Sequence, residues 1–335
     1  MKKYTKNIIF IVVIAVLVAY FSLKDNFSEI MIELLNINIW WIVFACFLML
    51  LSWLLKSLSL FHFIRQFNKQ YPLKKVFSLT VMTQFFNGVT PFASGGQPAD
   101  IYILKKEKID IPTGTTIIFQ NFIAYQLALI FFALCAIILN YKYGIFAHIP
   151  FLRDLVVISF IINILLIVGY TLVSYDNKIM KWFVKIIIKL GVKLKIIKNK
   201  EKIVKKWNRR LQKFYESALS LRKHKINFII GFIYNFIALC FHYIIPIVIL
   251  YSIGDYTSIT ILNILIASAY VMLVGAFVPT PGASGGIEYG FIAFFGTFLT
   301  GHKLTAVMLL WRFVTYYFGL FIGAIFLVFY KEGEK

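Results

Sequence analysis

The sequence predicts an all-α, polytopic integral membrane protein: about six full transmembrane helices plus two broken hairpins, arranged as an inverted repeat of span, re-entrant hairpin and span. Three observations carry that expectation. Of 335 residues, 60% are hydrophobic, 18% aromatic and only 15% charged, whereas soluble domains sit near roughly 45–50% apolar and about 25% charged. The apolar residues are gathered into blocks of the ~17–25 residues that cross a bilayer as helix, not into amphipathic stripes. A seven-residue motif also occurs twice, each time where Gly and Pro interrupt such a block. An ordinary water-soluble enzyme is excluded.

The elements follow in order. Lys2, Lys3 and Lys6 precede an uncharged run at 7–23, and Lys24-Asp25-Asn26 follows with no small-x-small cleavage site. Residues 1–38 therefore read as a signal-anchor span and an external loop. A first repeat covers 39–139: a span at 39–63, a hairpin at 76–104 broken by Asn87-Gly88, Pro91, Gly95-Gly96 and Pro98, and a span at 113–139. A connecting span at 155–175 and a basic linker at 176–225 lead to the second repeat, 226–330, whose hairpin occupies 259–302. Cys46, Cys135 and Cys240 lie inside apolar blocks without ligand spacing, so they read as small apolar side chains. No metal and no cofactor are expected.

Charge sets the orientation. The chain carries 35 Lys+Arg against 14 Asp+Glu, a net +21. Segment 176–225 holds 17 basic residues against Asp176, Glu201 and Glu216, which places it in the cytoplasm. Arg65, Lys69, Lys74 and Lys75 form a second basic loop, and Lys105, Lys106 and Lys108 a third. The loop 24–38, with Asp25, Glu29 and Glu33 against Lys24, suits the outside. The chain thus leaves the membrane on one side both before 76 and after 104, so the block between must return on itself. Both termini are expected in the cytoplasm of a plasma-membrane protein. Within the linker, Lys181, Lys185, Lys189 and Lys193 recur beside Trp182, Phe183, Ile186, Ile187 and Leu190, and Ile203, Trp207, Leu211, Phe214 and Ala218 mark a second apolar face. Helices of this kind lie on an anionic leaflet. The same charges suit nucleic-acid phosphates, but no recognisable nucleic-acid module accompanies them, and no nucleic-acid partner is expected.

Thr90-Pro91-Phe92-Ala93-Ser94-Gly95-Gly96 recurs as Thr280-Pro281-Gly282-Ala283-Ser284-Gly285-Gly286, six of seven positions identical at an offset of 190. The flanks keep similar offsets, 187 for Ile39 and Ile226 and 191 for Thr113 and Leu304. One extra span separates the halves, so they are inverted. Gly/Pro-interrupted segments at matching places in inverted halves point to a transport site near the midplane. Pro91, Pro98, Pro279 and Pro281 lack donors, and the glycines unwind helix. The freed backbone groups must face protein or water, because lipid cannot satisfy them. Half-helix N-termini at such a cavity attract anions. The candidate lipid-binding set is therefore Asn87, Thr90, Pro91, Ser94, Gly95, Gly96 and Asp100 in the first half. In the second half it is Thr280, Pro281, Gly282, Ser284, Gly285, Gly286, Glu288 and Arg312. A purely architectural bend is the other reading these residues allow.

Glu288 and Arg312 lie at membrane depth, where a charge costs at least ~2.5–3.5 kcal/mol unless paired or hydrated. Either they face each other with Arg312 free for a phosphate, or they form an ion pair that fixes packing. Asp100 is the acidic member of the first hairpin or an interfacial charge beside Lys105 and Lys106. Gln84, Gln97, Gln120 and Asn121 add neutral polar groups, the last two falling opposite Trp311 and Arg312 by the offset. His242, with Tyr243 and Pro246, reads as a proton relay or a packed group, and Lys56 is expected to snorkel to the cytoplasmic interface.

Asn87…Pro91…Gly95-Gly96 and Pro279-Thr280-Pro281-Gly282…Gly285…Glu288, followed by Arg312…Tyr316-Tyr317…Gly319, resemble the lysylphosphatidylglycerol synthase transmembrane-region family. This flippase-like family, also known as uncharacterised protein family 0104, is resembled over essentially the whole chain. The family is related to the membrane domain of the multiple peptide resistance factor, which flips lysyl-phosphatidylglycerol outward, while a separate cytosolic domain makes that lipid from lysyl-tRNA. The resemblance implies a protein that moves a phospholipid or lipid-linked amphiphile, anionic or aminoacylated, between leaflets. Membrane phospholipids and a separate lipid-modifying enzyme would be its partners. The alternative is phosphatidylglycerol lysyltransferase activity, or an accessory subunit of it; a membrane scaffold and a transporter of a soluble anion are further classes. Two departures bear on this. Only five residues follow Tyr330, so lysyl transfer by this sequence alone is not expected. Gln120-Asn121 also stands where many relatives have Glu-Arg. No Walker motif is visible, so movement is expected to be gradient-driven or downhill.

Overall fold

The computed structural model describes residues 32, 34–147, 149–175, 225–276 and 278–330. The expected first span at 7–23, the linker helices at 176–224 and residues 331–335 lie outside them. The ordered elements are α1 (Ile39–Ile64), α2 (Leu73–Gly88), α3 (Gly96–Lys106), α4 (Ile111–Tyr143), α5 (Pro150–Tyr175), α6 (Lys225–Tyr243), α7 (Ile245–Ser252), α8 (Ile261–Gly275), α9 (Gly286–Phe295), α10 (Gly301–Arg312), a π-helical turn (Phe313–Tyr317) and α11 (Phe318–Val328). Five helical stretches among the described residues are long and apolar enough to cross a membrane: Ile39–Ile64, Ile111–Tyr143, Leu152–Gly169, Ile226–Ser252 and Gly301–Val328. The protein is an all-α polytopic membrane protein.

Local chemistry explains the boundaries. Asn38 caps α1, its side chain accepting from the Trp40 N–H at 3.1 Å, and Thr260 caps α8 through the Asn263 N–H at 3.3 Å. Gly144 ends α4 in the left-handed conformation, φ 64°, where a side chain would be strained. The expected block 226–253 is one span built of two helices. The break at Ile244 precedes Pro246, which sits in the first turn of α7 and brings no N–H to continue the ladder of α6.

Helix length forces the hairpins. The arms α2, α3, α8 and α9 have 16, 11, 15 and 10 residues. At about 1.5 Å per residue each falls short of the ~30 Å hydrocarbon core, so each arm must turn back inside it. Contacts at the ends define two faces. On one, Glu107 pairs with Lys75 and accepts from the Tyr330 hydroxyl at 3.2 Å, gathering the start of α2, the end of α3 and the end of α11. On the other, the Asn38 N–H donates to the Ser252 carbonyl at 2.8 Å and Lys303 pairs with Asp255 at 2.8 Å, gathering the start of α1, the end of α7 and the start of α10. The α2–α3 hairpin therefore enters from one face and α8–α9 from the other. Their tips meet in an antiparallel bridge between Pro91 and Pro281. These are the same position of the repeat, so the inverted two-fold relation passes between them.

Packing follows the same symmetry: α1 lies along α6, its own counterpart, while α2 lies on α11 and α8 on α4. The α2–α11 contact depends on small residues four apart. A Cβ on Gly323 would stand 2.8 Å from the Val81 carbonyl, and one on Gly319 3.3 Å from Gln84 and Trp53, the close approach that small-xxx-small spacing permits. Trp53, fully buried, stacks on Phe318 with ring centroids 5.6 Å apart. Ile158, Ile161 and Leu165 on α5 point outward, an apolar face suited to lipid.

Phe92, Ala93, Gly282 and Ala283 all have left-handed backbone, φ 50–60°. The single mismatch of the repeat, Phe92 against Gly282, thus falls where a side chain costs about 1–2 kcal/mol. Phe92 is tolerated because it projects from an open tip. Gly282 lies under Tyr316, whose ring a Cβ would meet at 2.2 Å. Thermal unfolding in detergent should therefore show Gly282→Ala destabilised by about 2 kcal/mol or more, and Phe92→Gly unchanged or gaining up to about 1 kcal/mol.

Asp255 gives a test of the opposite face. Burial alone pushes its carboxyl up, but the Lys303 ammonium, the Ser258 hydroxyl and the N–H groups of Ser258 and Thr257 hold it well below the usual carboxylate range. A depressed folded value stabilises the fold above the unfolded value near ~4, and the contribution disappears as pH falls through the depressed one. Asp255→Asn is expected to cost about 1–2 kcal/mol at neutral pH, the part-exposed lysine limiting the effect. That cost should shrink on acidification below the ordinary carboxylate range.

Candidate functional site

The two tips frame a cavity of about 680 Å³ between the halves. Its polar wall comes from most of the elements that surround it: Lys56 on α1, Thr83 and Asn87 on α2, Asp100 on α3, Asn121 and Tyr125 on α4, Asn163 on α5, His242 on α6, Arg312 at the end of α10 and Tyr316 in the turn after it. Of the candidate lipid-binding residues, Asn87, Ser94, Asp100, Gly282 and Arg312 line this space, as do Gln84, Gln97, Asn121 and His242, also singled out from sequence. Thr90, Pro91, Gly95, Gly96, Thr280, Pro281, Ser284, Gly285, Gly286 and Glu288 instead build the turns that bound it.

Each tip satisfies its loosened backbone differently. In the first, the Asn87 side-chain oxygen accepts from the Gly96 N–H at 2.9 Å. Thr90 Oγ1 accepts from the Gly95 N–H at 2.8 Å while donating to the Phe86 carbonyl at 2.7 Å. The donors at the start of α3 are thus taken by neutral side chains of its own hairpin. The second tip uses charge. Glu288 Oε2 accepts from the Gly285 N–H at 2.6 Å, and its Oε1 lies 2.7 Å from Arg312 Nε. That contact is an ion pair without the alignment of a hydrogen bond. Arg312 Nη2 donates to the Gly282 carbonyl at 3.2 Å and to Ser284 Oγ at 3.1 Å, and the guanidinium stands 4.3 Å above the Tyr316 ring. Tyr316 in turn donates to the Gly88 carbonyl at 3.1 Å, tying the last span to the first hairpin. Arg312 and Glu288 are both buried. The guanidinium is therefore committed to the second tip: a carboxylate, a carbonyl, a hydroxyl and a ring occupy it.

The tips also differ in exposure. Pro91, Phe92, Ala93 and Ser94 are exposed, whereas Pro281 and Ser284 are buried. Asp100 is buried, accepts from the Thr83 hydroxyl, and has no basic partner among the described residues. Asn121, opposite Arg312 in the repeat, accepts from Ser59 at 2.7 Å, and Asn235 donates to the same Ser59 at 2.8 Å. The sequence reading missed Lys56, Tyr125, Asn163 and Asn235 as cavity residues. Tyr125 was within reach of the repeat offset, since 191 residues separate it from Tyr316. Lys56 lies on the cavity wall, 5.5 Å from the Tyr125 ring centroid. It does not reach an interface because α1 continues for two more turns to Ile64.

The π-helical turn Phe313–Tyr317 follows Arg312 directly. Such turns insert a residue into a helix and recur at functional sites. Here the turn carries Tyr316 over both Arg312 and the first hairpin.

Fold and site together define a multi-pass helical membrane protein made of two inverted repeats whose re-entrant hairpins meet around a polar cavity. Residues 7–323 match the family described as the lysylphosphatidylglycerol synthase TM region, and the chain belongs to that family. It is also similar to a UPF0104 membrane protein of Archaeoglobus fulgidus, 22% identical over 317 residues that cover 94% of each chain.

The ion pair makes a direct test. Removing one member of a buried pair leaves an uncompensated charge, at a cost of about 3–5 kcal/mol. Arg312→Gln and Glu288→Gln should each lower thermal stability by that order, and the double variant should lose less than the two together. Full additivity in a double-mutant cycle would mean that the pair is not coupled.

Proposed function

We propose that this chain moves a phospholipid, or a lipid-linked amphiphile with an anionic or aminoacylated headgroup, between the leaflets of the plasma membrane. The headgroup passes through the cavity while the acyl chains remain in the bilayer. The observation that carries this reading is the meeting of two opposed, kinked hairpins around a polar space, the first tip exposed at Pro91–Ser94 and the second buried at Pro281 and Ser284. Symmetric halves in unlike states support alternating access, in which the open and closed tips exchange roles. Basic residues support the orientation: Arg65, Lys69, Lys74, Lys75, Lys105, Lys106 and Lys108 cluster on the face from which the first hairpin enters. By the positive-inside rule that face is cytoplasmic. The family's description names a synthase, which favours a second reading, a membrane part of an aminoacyl-phospholipid synthase.

Reconstituted vesicles separate these readings. Fluorescent phosphatidylglycerol in one leaflet should become accessible from the other in a protein-dependent way. Unchanged asymmetry across anionic, aminoacylated and zwitterionic lipids would remove the translocation reading, and label transferred from lysyl-tRNA to phosphatidylglycerol would favour the synthase. In a background lacking the native cysteines, Ser94→Cys should react with an aqueous thiol reagent at least about tenfold faster than Ser284→Cys. Equal rates would contradict the one-sided opening.

A further inference from the structure

Arg312 is held at the second hairpin by Glu288, Gly282 and Ser284, and a second cation stands on the cavity wall. Among the described residues Lys56 is the only ammonium on that wall and has no acidic partner; it stands over the face of Tyr125. An unpaired ammonium inside a span is costly and marks a site where a counter-charge arrives or water enters. His242, on the neighbouring α6, lines the same cavity. It is buried, and among the described residues neither ring nitrogen has a hydrogen-bond partner. A ring always carries at least one N–H, and buried polar groups are ordinarily satisfied. Asn121, on α4, has its side-chain oxygen taken by Ser59, which leaves its amide N–H groups as the donors available to the cavity. Three elements thus bring a cation and polar side chains to the wall of one cavity, on which the Asp100 carboxyl of α3 is bonded to Thr83.

We propose that Lys56, His242 and Asn121 form a seat for a phosphoester oxyanion, with Tyr125 as its wall. Resting on the translocation reading above, the oxyanion is the phosphodiester of a lipid headgroup held midway between leaflets. Lys56 supplies the charge, and the histidine and asparagine N–H groups complete the shell around non-bridging oxygens. Arg312 holds the second tip closed and is not the phosphate ligand. Several donors from separate helices suit a tetrahedral anion better than a planar carboxylate, for which one bidentate guanidinium is the usual partner.

The test uses the full chain in a phosphate-free maltoside detergent, with fluorescence of Trp311, which lines the cavity, as the readout. The probes are short-chain phosphatidylglycerol, inorganic phosphate and a short-chain diacylglycerol. Phosphatidylglycerol is expected to bind, Lys56→Gln to weaken it about tenfold or more, and Lys56→Arg to keep most of the affinity. Diacylglycerol should bind weakly and alike in all variants. Because the ammonium is unpaired, Lys56→Gln should melt no lower than the parent in the absence of lipid, so a binding defect will not reflect misfolding; should it fail to fold, His242→Phe carries the same comparison. Lys56-dependent binding of inorganic phosphate as tight as that of the lipid supports the seat with a soluble ligand. Lipid affinity unchanged in Lys56→Gln overturns the seat even where vesicles show translocation, while Lys56-dependent binding without translocation overturns the transport reading and leaves the seat.

Discussion

Hydrocarbon offers no hydrogen bonds, and every unwound peptide group in this molecule has to be satisfied by the molecule itself or by water it admits. The proline and glycine residues at 91–96 and 281–286 break helix in the middle of the bundle, so they create that demand at its most expensive depth. The two halves answer it in different ways. The first uses Asn87 and Thr90, uncharged side chains of its own hairpin, to receive the N–H groups of Gly96 and Gly95. The second uses Glu288 on the Gly285 N–H and brings Arg312 from a distant span onto the Gly282 carbonyl. The cavity, the short hairpin arms and the closure of one tip all follow from where those broken segments sit.

That difference links composition to conformation. A tip held by its own neutral side chains can remain exposed. A tip held by a guanidinium and a carboxylate is pulled into the protein, because each buried charge needs the other. The same arrangement decides between the two roles that the sequence left open for Arg312. Holding the hairpin falls to Arg312, while the cavity's ammonium comes from Lys56, a residue in the opposite half. Asp100, bonded to Thr83, places a carboxyl on the same lining.

Much of this was legible before any coordinates. Lysine and arginine counts around 65–75 and 105–108 demanded that the first broken block return to its own side, and the identity of Thr90–Gly96 with Thr280–Gly286 announced the second. The contacts were not legible, for reasons of geometry. Sequence gives the depth of Arg312 but not its rotamer, so a guanidinium enclosed by Gly282, Ser284, Glu288 and Tyr316 looks the same as a free one. Lys56 was misjudged because sequence does not tell which face of α1 turns toward α4, where the ammonium lies over Tyr125 on the cavity wall. His242 stands on a helix that faces the cavity only because α6 lies along α1, a pairing between residues nearly 190 positions apart.

The bridge between Pro91 and Pro281 has a further meaning. A point lying on a two-fold axis is carried onto itself when the two halves trade places. For the exchange of roles proposed above, this junction is the natural fulcrum: a chemical cross-link there would leave such an exchange free, whereas one a few residues away on either side would arrest it.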